Sequence, residues 1–430
     1  MTRAPRADGR ARASSLALAT VVVGVIAGLG GMVLVLLLHV VQHVAYGYSL
    51  HDLRGPESFF EGVRTSSPFR RVGVLAVCGV LAGGGWYCLY RYGRRLVSIE
   101  KAVDTGERMP LLETTAHVLL QIVTVALGSP LGREIAPREL AATFASSFVR
   151  RARIGTDDAK LLIAAAAGAG LGAVYNAPLG GALFSLEVLL VTFRPRSVAV
   201  ALGAAAIAAA VAWTGLGSAP TYHVQRLDAT PGLVAWAIVV GPLVGVVAAL
   251  WDRLTHAAHA HAPQGWALVG LSIVNFTVIG VLAIPFPELL GNGRAPAQLG
   301  FEGDIGIGLA AALLAIRIVI VASSFRAGAA GGRLTPSLST GALLALVVGG
   351  AWSLVLPGAP SGAYALIGGT AFVAVAMHMP LTAFALALEL TWVDLDLCVP
   401  MGLAVAGAIL GARLVTGRRS PTPGRLSPTA

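Results

Sequence analysis

Between Leu334 and Leu388 the chain runs for 55 residues without an Asp, Glu, Lys or Arg. A helix crosses the hydrocarbon core of a bilayer with about 20 apolar residues, so this stretch alone has the length for two crossings. Three further stretches repeat the pattern. Residues 14–38 hold no charged or His side chain, and 197–225 and 229–251 hold no Asp, Glu, Lys or Arg. Over all 430 residues the AVILMFWYC set makes up 56% and DEKR only 12%. So few charges cannot cover the surface of a soluble protein of this length. The chain reads as an all-α polytopic membrane protein.

The 31 basic residues outnumber the 21 acidic ones, for a net charge of +10, and Lys101 and Lys160 are the only lysines. A basic balance invites a nucleic-acid reading, but no aromatic–basic interleaving or nucleic-acid motif accompanies it. Topology explains it instead. Arg3, Arg6, Arg10 and Arg12 precede the first apolar run, and Arg413, Arg418, Arg419 and Arg425 follow the last. Under the positive-inside rule both termini are expected in the cytoplasm, with an even number of crossings. The Arg, Ala and Gly bias points to a high-GC bacterial genome and hence to the inner membrane. The first run is too long for a signal peptide and lacks its cleavage pattern, so it is expected to be retained. Cys78, Cys88 and Cys398 are scattered, without metal spacing. His256, His259 and His261 lie close together without an acidic partner evident in the sequence, and read as an interfacial loop or helix end. No cofactor or metal is expected.

Apolar blocks between charged or Gly/Pro breaks predict helices near 14–46, 70–92, 110–128, 137–150, 158–175, 179–193, 197–215, 232–254, 265–285, 305–324, 336–356, 362–378, 381–393 and 397–416. Several are too short to span, and breaks between them must be buried in protein or line a polar cavity. An internal repeat organises the blocks. Gly132-Arg133-Glu134-Ile135-Ala136-Pro137 returns in outline as Gly331-Gly332-Arg333-Leu334-Thr335-Pro336. Some forty residues later Pro178…Glu187 returns as Pro380…Glu389, each Glu nine residues after its Pro. The offsets, 199 and 202 residues, agree. The reading is a tail over 1–13, a first transmembrane repeat over 14–215, a second over 216–416, and a short disordered tail over 417–430.

The breaks carry the chemistry. Glycine permits a tight turn, and Pro in the first helical turn starts the next helix without wasting a donor. The free N–H groups and positive end of that helix form an anion site. Two such ends meeting at the membrane midplane would hold a dehydrated anion reversibly. Glu134, in the first break, is expected either to occupy that site with its own carboxylate or merely to cap its helix. Glu187 and Glu389 are either candidates for an ion or proton path, as intramembrane carboxylates, or buried or cytoplasmic helix-end residues bonded to neighbouring backbone. Arg333 is expected within reach of Glu134 or of the bound anion, the alternative being that it snorkels to the aqueous mouth and touches neither.

In combination, G-R-E-x-x-P, Y-N-A-P-L-G-G-A-L-F-S-L-E, G-G-x-L-x-P and M-P-L-T…L-E-L-T resemble the CLC chloride channel and chloride–proton antiporter family, over roughly residues 15–415. The resemblance implies two inverted repeats of tilted and broken helices, and a homodimer with one anion pore per subunit. It makes Glu134 the gating residue. It places anion-coordinating backbone amides around Gly132, Arg133, Glu134 and Ile135 and around Arg333 and Leu334.

This sequence also departs from the family. Gly93–Val97 stands where a pore serine is expected, with Ser98 the nearest hydroxyl, and no Tyr follows Tyr364. Val188, next to Glu187, stands where the exchangers carry a proton-passing glutamate. Ile135 replaces a glycine, and Arg333 an apolar residue. The expected function is transport of chloride or another small anion across the lipid bilayer, with weak or no proton coupling. The alternatives are a scaffold that has lost conduction, and an intramembrane enzyme, for which no G-x-S-x-G or H-E-x-x-H motif is present.

Overall fold

The computed structural model describes residues 5–48 and 59–417. The tail after 417, read above as disordered, lies outside them. In chain order the helices are α1 (Pro5–Tyr46), α2 (Phe59–Thr65), α3 (Pro68–Tyr92), α4 (Ile99–Thr105), α5 (Leu111–Ala126), α6 (Ile135–Arg151), α7 (Thr156–Tyr175), α8 (Pro178–Phe184) and α9 (Pro195–Leu216). The second half continues with α10 (Pro231–Ala260), α11 (Trp266–Leu282), α12 (Arg294–Glu302), α13 (Ile307–Arg326), α14 (Leu334–Ser353), α15 (Ser361–Ala376), α16 (Pro380–Thr391) and α17 (Cys398–Thr416). Among the described residues, eight helices are long and apolar enough to cross a bilayer. Each apolar block read from the sequence is a helix here. The three that composition did not signal, α2, α4 and α12, are short or polar and lean on neighbours for burial.

With no aqueous driving force between helices in lipid, contact depends on close backbone approach through small residues. Gly24 and Gly28 of α1 face Ala204 and Ala208 of α9, where an added methyl would sit 2.9 Å and 2.6 Å from their carbonyl oxygens. Gly241 and Gly245 of α10 face Ala404 and Ala408 of α17 in the same way. Two small-residue seams in matching places of the two halves are a further mark of the repeat. Large apolar side chains such as Val33, Val239 and Val319 point outward, as lipid contact requires.

The repeat is clearest at the breaks. Both α5 and α13 end in a glycine with a left-handed backbone, Gly128 (φ 106°) and Gly328 (φ 86°). The next amide then reaches back five residues, Ser129 to the Thr124 carbonyl at 3.0 Å and Ala329 to the Ser324 carbonyl at 3.1 Å. This is a helix stop that turns the chain sharply while satisfying a terminal carbonyl. The two extended segments that follow run antiparallel and bond to each other. Gly132 N–H donates to the Gly332 carbonyl at 2.7 Å, and Gly332 N–H donates to that of Gly132 at 2.8 Å. The fold is two inverted repeats joined backbone to backbone at their centre.

Candidate functional site

Immediately after this bridge, α6 and α14 begin. Pro137 and Pro336 each take the third position of their helix, inside the first turn, as the sequence predicts. Glu134 and Arg333 are the two N-cap residues, and neither side chain caps its own helix. The Glu134 carboxylate crosses to the other repeat: the Leu334 N–H, first in α14, donates to Oε1 at 2.5 Å. Glu134 has no exposed surface, and Oε2 has no partner. The carboxylate lies between the two bridging glycines, so a methyl on either Gly132 or Gly332 would collide with it. Of the two roles left open by the sequence, the local cap is therefore not formed. A carboxylate occupies the positive end of the opposite helix.

Around this centre Arg138 Nε donates to the Glu134 carbonyl at 2.8 Å, fixing the turn through its backbone rather than its side chain. The Arg133 guanidinium lies 5.3 Å from the ring centroid of Tyr175, whose hydroxyl pairs with Thr335 Oγ1 at 3.1 Å. A cation over an aromatic face is attracted by the ring quadrupole. Ile135 opens α6 half-buried. Arg138, Tyr175 and Thr335 were not singled out from the sequence. Arg138 follows Glu134 at the i, i+4 spacing that makes helical neighbours.

Arg333 is not where the repeat alone predicts. Its Nη1 bonds Asp252 Oδ1 at 2.6 Å, Thr255 Oγ1 at 3.2 Å and His256 Nδ1 at 3.1 Å, all on α10. No bond joins it to Glu134. The physical reason is the helix end it caps: a cation beside an N-terminus is repelled by the same dipole that attracts the carboxylate. The guanidinium therefore turns to Asp252. His256 also has an acidic partner, contrary to the sequence reading, because Asp252 lies one turn earlier with Oδ1 3.0 Å away. Asp252, one turn before His256 at the end of the apolar block, was the signal.

The other two carboxylates close a reciprocal pair. Glu187 accepts from Leu381 N–H at 2.9 Å and from Thr382 N–H and Oγ1 at 2.8 Å and 2.6 Å, at the start of α16. Glu389 accepts from Leu179 and Gly180 N–H at 2.8 Å and 2.6 Å, at the start of α8. Each repeat thus caps a helix of the other. Residues 185–189 form a widened turn in which Leu190 N–H reaches the Ser185 carbonyl at 2.9 Å, so Glu187 and Val188 do not sit on a regular α-helix. Ser98 caps α4, accepting from Lys101 N–H at 3.2 Å.

Comparison with known proteins bears on the fold and the family. The curated protein "Voltage-gated ClC-type chloride channel ClcB" of Salmonella typhi is 29% identical over 370 residues, covering 82% of this chain and 86% of that protein. "H(+)/Cl(-) exchange transporter ClcA" of Salmonella arizonae is 29% identical over 308 residues, 69% of this chain but only 64% of that protein. Among solved structures, a slow cyanobacterial Cl-/H+ antiporter superposes with a TM-score of 0.78 at 18% identity, over 94% of this chain and 95% of that one. A CLC-type fluoride/proton antiporter superposes with a TM-score of 0.72 at 17% identity, over 93% of this chain and 95% of that one. The family model described as voltage gated chloride channel matches residues 73–413, and the chain belongs to that family.

Proposed function

We propose that this protein carries chloride or a similar small anion through a pore that the Glu134 carboxylate closes, with weak or no proton coupling. One observation carries the reading: the carboxylate bound to the first amide of α14, across the repeat interface. A helix N-terminus that accepts a carboxylate accepts other monovalent anions on the same terms. The tethered carboxylate and a free anion then compete for one place. Amides of Gly132, Arg133, Glu134, Ile135, Arg333 and Leu334 are the proposed coordinating groups. Protonating Glu134 removes its charge and favours the free anion, so flux rises as pH falls.

The weak-coupling reading rests on Val188, which carries no proton, and on Glu187, which is held by two amides and a hydroxyl. The curated relatives include proteins named as a channel and as an exchange transporter, so the names leave both modes open. A homodimer in the bacterial inner membrane with both termini cytoplasmic, its repeats dividing near residue 215, completes the proposal.

The test is chloride efflux from vesicles holding the purified protein, with a pH electrode in the same sample. Passive efflux without stoichiometric proton movement is the expected result. Uphill proton movement driven by a chloride gradient refutes the coupling part. A second reading, a scaffold that no longer conducts, is favoured by Ser98, whose hydroxyl is engaged in capping α4. Zero efflux with the wild-type chain and with Glu134→Ala selects it.

A further inference from the structure

Arg317 sits within α13 with no exposed surface, and its Nε, Nη1 and Nη2 all lack a hydrogen-bond partner. A guanidinium presents five donors and keeps its charge inside proteins. Leaving such a group buried and unpaired is among the most unfavourable arrangements a fold can hold. Among the described residues no carboxylate forms an ion pair with it, and Tyr222 is the one titratable neighbour acting on it.

The surroundings suit an anion. Gly293, the N-cap of α12, has a left-handed backbone (φ 103°) and lies so close that a methyl there would strike both Arg317 Nη2 and Ser339 Oγ. Three elements therefore converge on the guanidinium: α13 with the charge, α14 with a hydroxyl, and the start of a nine-residue helix. Of the first-turn amides of that helix, Arg294 N–H donates to Asn292 Oδ1 at 3.3 Å, Pro296 has no N–H and Ala297 N–H donates to the Gly293 carbonyl at 3.2 Å, which leaves that of Ala295. The Ser339 hydroxyl donates to the Pro336 carbonyl at 3.0 Å and can rotate toward a ligand.

We propose that Arg317 holds a small monovalent anion of halide size, in a site separate from the one Glu134 occupies. Ser339 lies five residues beyond Leu334 on α14, about 7.5 Å farther along the helix axis. An anion there is a neighbour of the Leu334 site, not a second view of it. A water molecule would accept one or two of the guanidinium bonds and leave its charge uncompensated. The site does not rest on the gating proposal, since Arg317 needs its counter-ion even in a protein that conducts nothing.

The test is diffraction from the unmodified full chain crystallised in bromide, recorded at the bromine absorption edge, followed by Arg317→Met. The expected map has an anomalous peak within about 3.5 Å of the Arg317 nitrogens, absent from the Arg317→Met crystal. Calorimetric titration with bromide should show one equivalent per chain fewer in the variant. No peak beside Arg317 in the parent, water alone at that place, or a peak that survives Arg317→Met each overturns the proposal. Should the variant not fold, the parent map decides. A peak confined to the Leu334 amide would leave the gating proposal standing and sink this one.

Discussion

Replacing Glu134 by Ala or Gln is the most direct perturbation of the proposed gate, and the structure sets its size. The closed arrangement rests on one charge-assisted bond from Leu334 N–H at 2.5 Å, of a kind that contributes about 1.5–3 kcal/mol net. Against it stands Oε2, buried without a partner, which costs about 1–3 kcal/mol. The carboxylate is thus held by at most about 2 kcal/mol, so removing it should tighten chloride binding by up to about thirtyfold. Arg138 bonds the backbone of Glu134, not its carboxylate, so the turn should survive the substitution. Calorimetric chloride titration and vesicle efflux between pH 5 and 8 are the assays. The wild-type chain should show efflux rising toward acid pH. Glu134→Gln and Glu134→Ala should be faster and flat with pH, because neither has a charge to lose. Equal affinity, equal efflux and an unchanged pH response in well-folded variants would refute the competition argument.

Three more outcomes follow from the same geometry. Gly332→Ala puts a methyl into the space now filled by the Glu134 carboxylate; efflux should vanish, and adding Glu134→Ala should not restore it, since the methyl occupies the place proposed for the anion. Arg333→Ile strips Asp252 of its guanidinium and should lower stability by about 1–3 kcal/mol, seen as a drop in melting temperature that Asp252→Asn partly offsets in the double variant. Chloride affinity should be far less affected than by Glu134→Ala, and an equal effect would contradict the placement of Arg333. Glu187→Gln and Glu389→Gln each remove a charge from two helix-start amides; each should cost about 1 kcal/mol in stability, with proton movement unchanged.

Membrane class, helix positions and the repeat were legible in the sequence because each leaves a pattern in one dimension. Charge-free runs mark spans, and Pro178…Glu187 matches Pro380…Glu389 by simple offset. The left-handed glycines at 128 and 328 and the small-residue seams at Gly24/Gly28 and Gly241/Gly245 obey the same symmetry. In an Ala- and Gly-rich chain, however, such residues carry little weight until their contacts are known. What the sequence hid were partners supplied by other elements. Glu134 shows its acid in the sequence, whereas Leu334, whose amide it occupies, was reached there only through the repeat and the family resemblance. Arg333 was misplaced because symmetry fixes the backbone of a repeat and not the direction of a long side chain. Arg317 was visible as a lone charge inside an apolar helix, and Asp252 as the acid of an Asp252-Arg253 pair closing an apolar block, signals comparable to the glutamates that were weighed.

The two N-caps explain why a frame with near two-fold symmetry ends with a single proposed gate. Glu134 and Arg333 hold equivalent positions, one at the start of α6 and one at the start of α14. Both helix starts are positive, so an acid is attracted to either and a base is repelled by both. The acid crosses to α14, where it meets a free amide. The base leaves the centre for Asp252 on α10, which keeps a half-buried cation paired. Had the second half kept an acid at Arg333, two carboxylates would face each other across the Gly132–Gly332 bridge, and their repulsion would drive one out or protonate it. Had both halves carried arginine, no tethered anion would compete with chloride. Opposite charges at equivalent positions leave one carboxylate, on one of two helix ends, and so give the symmetric scaffold a direction.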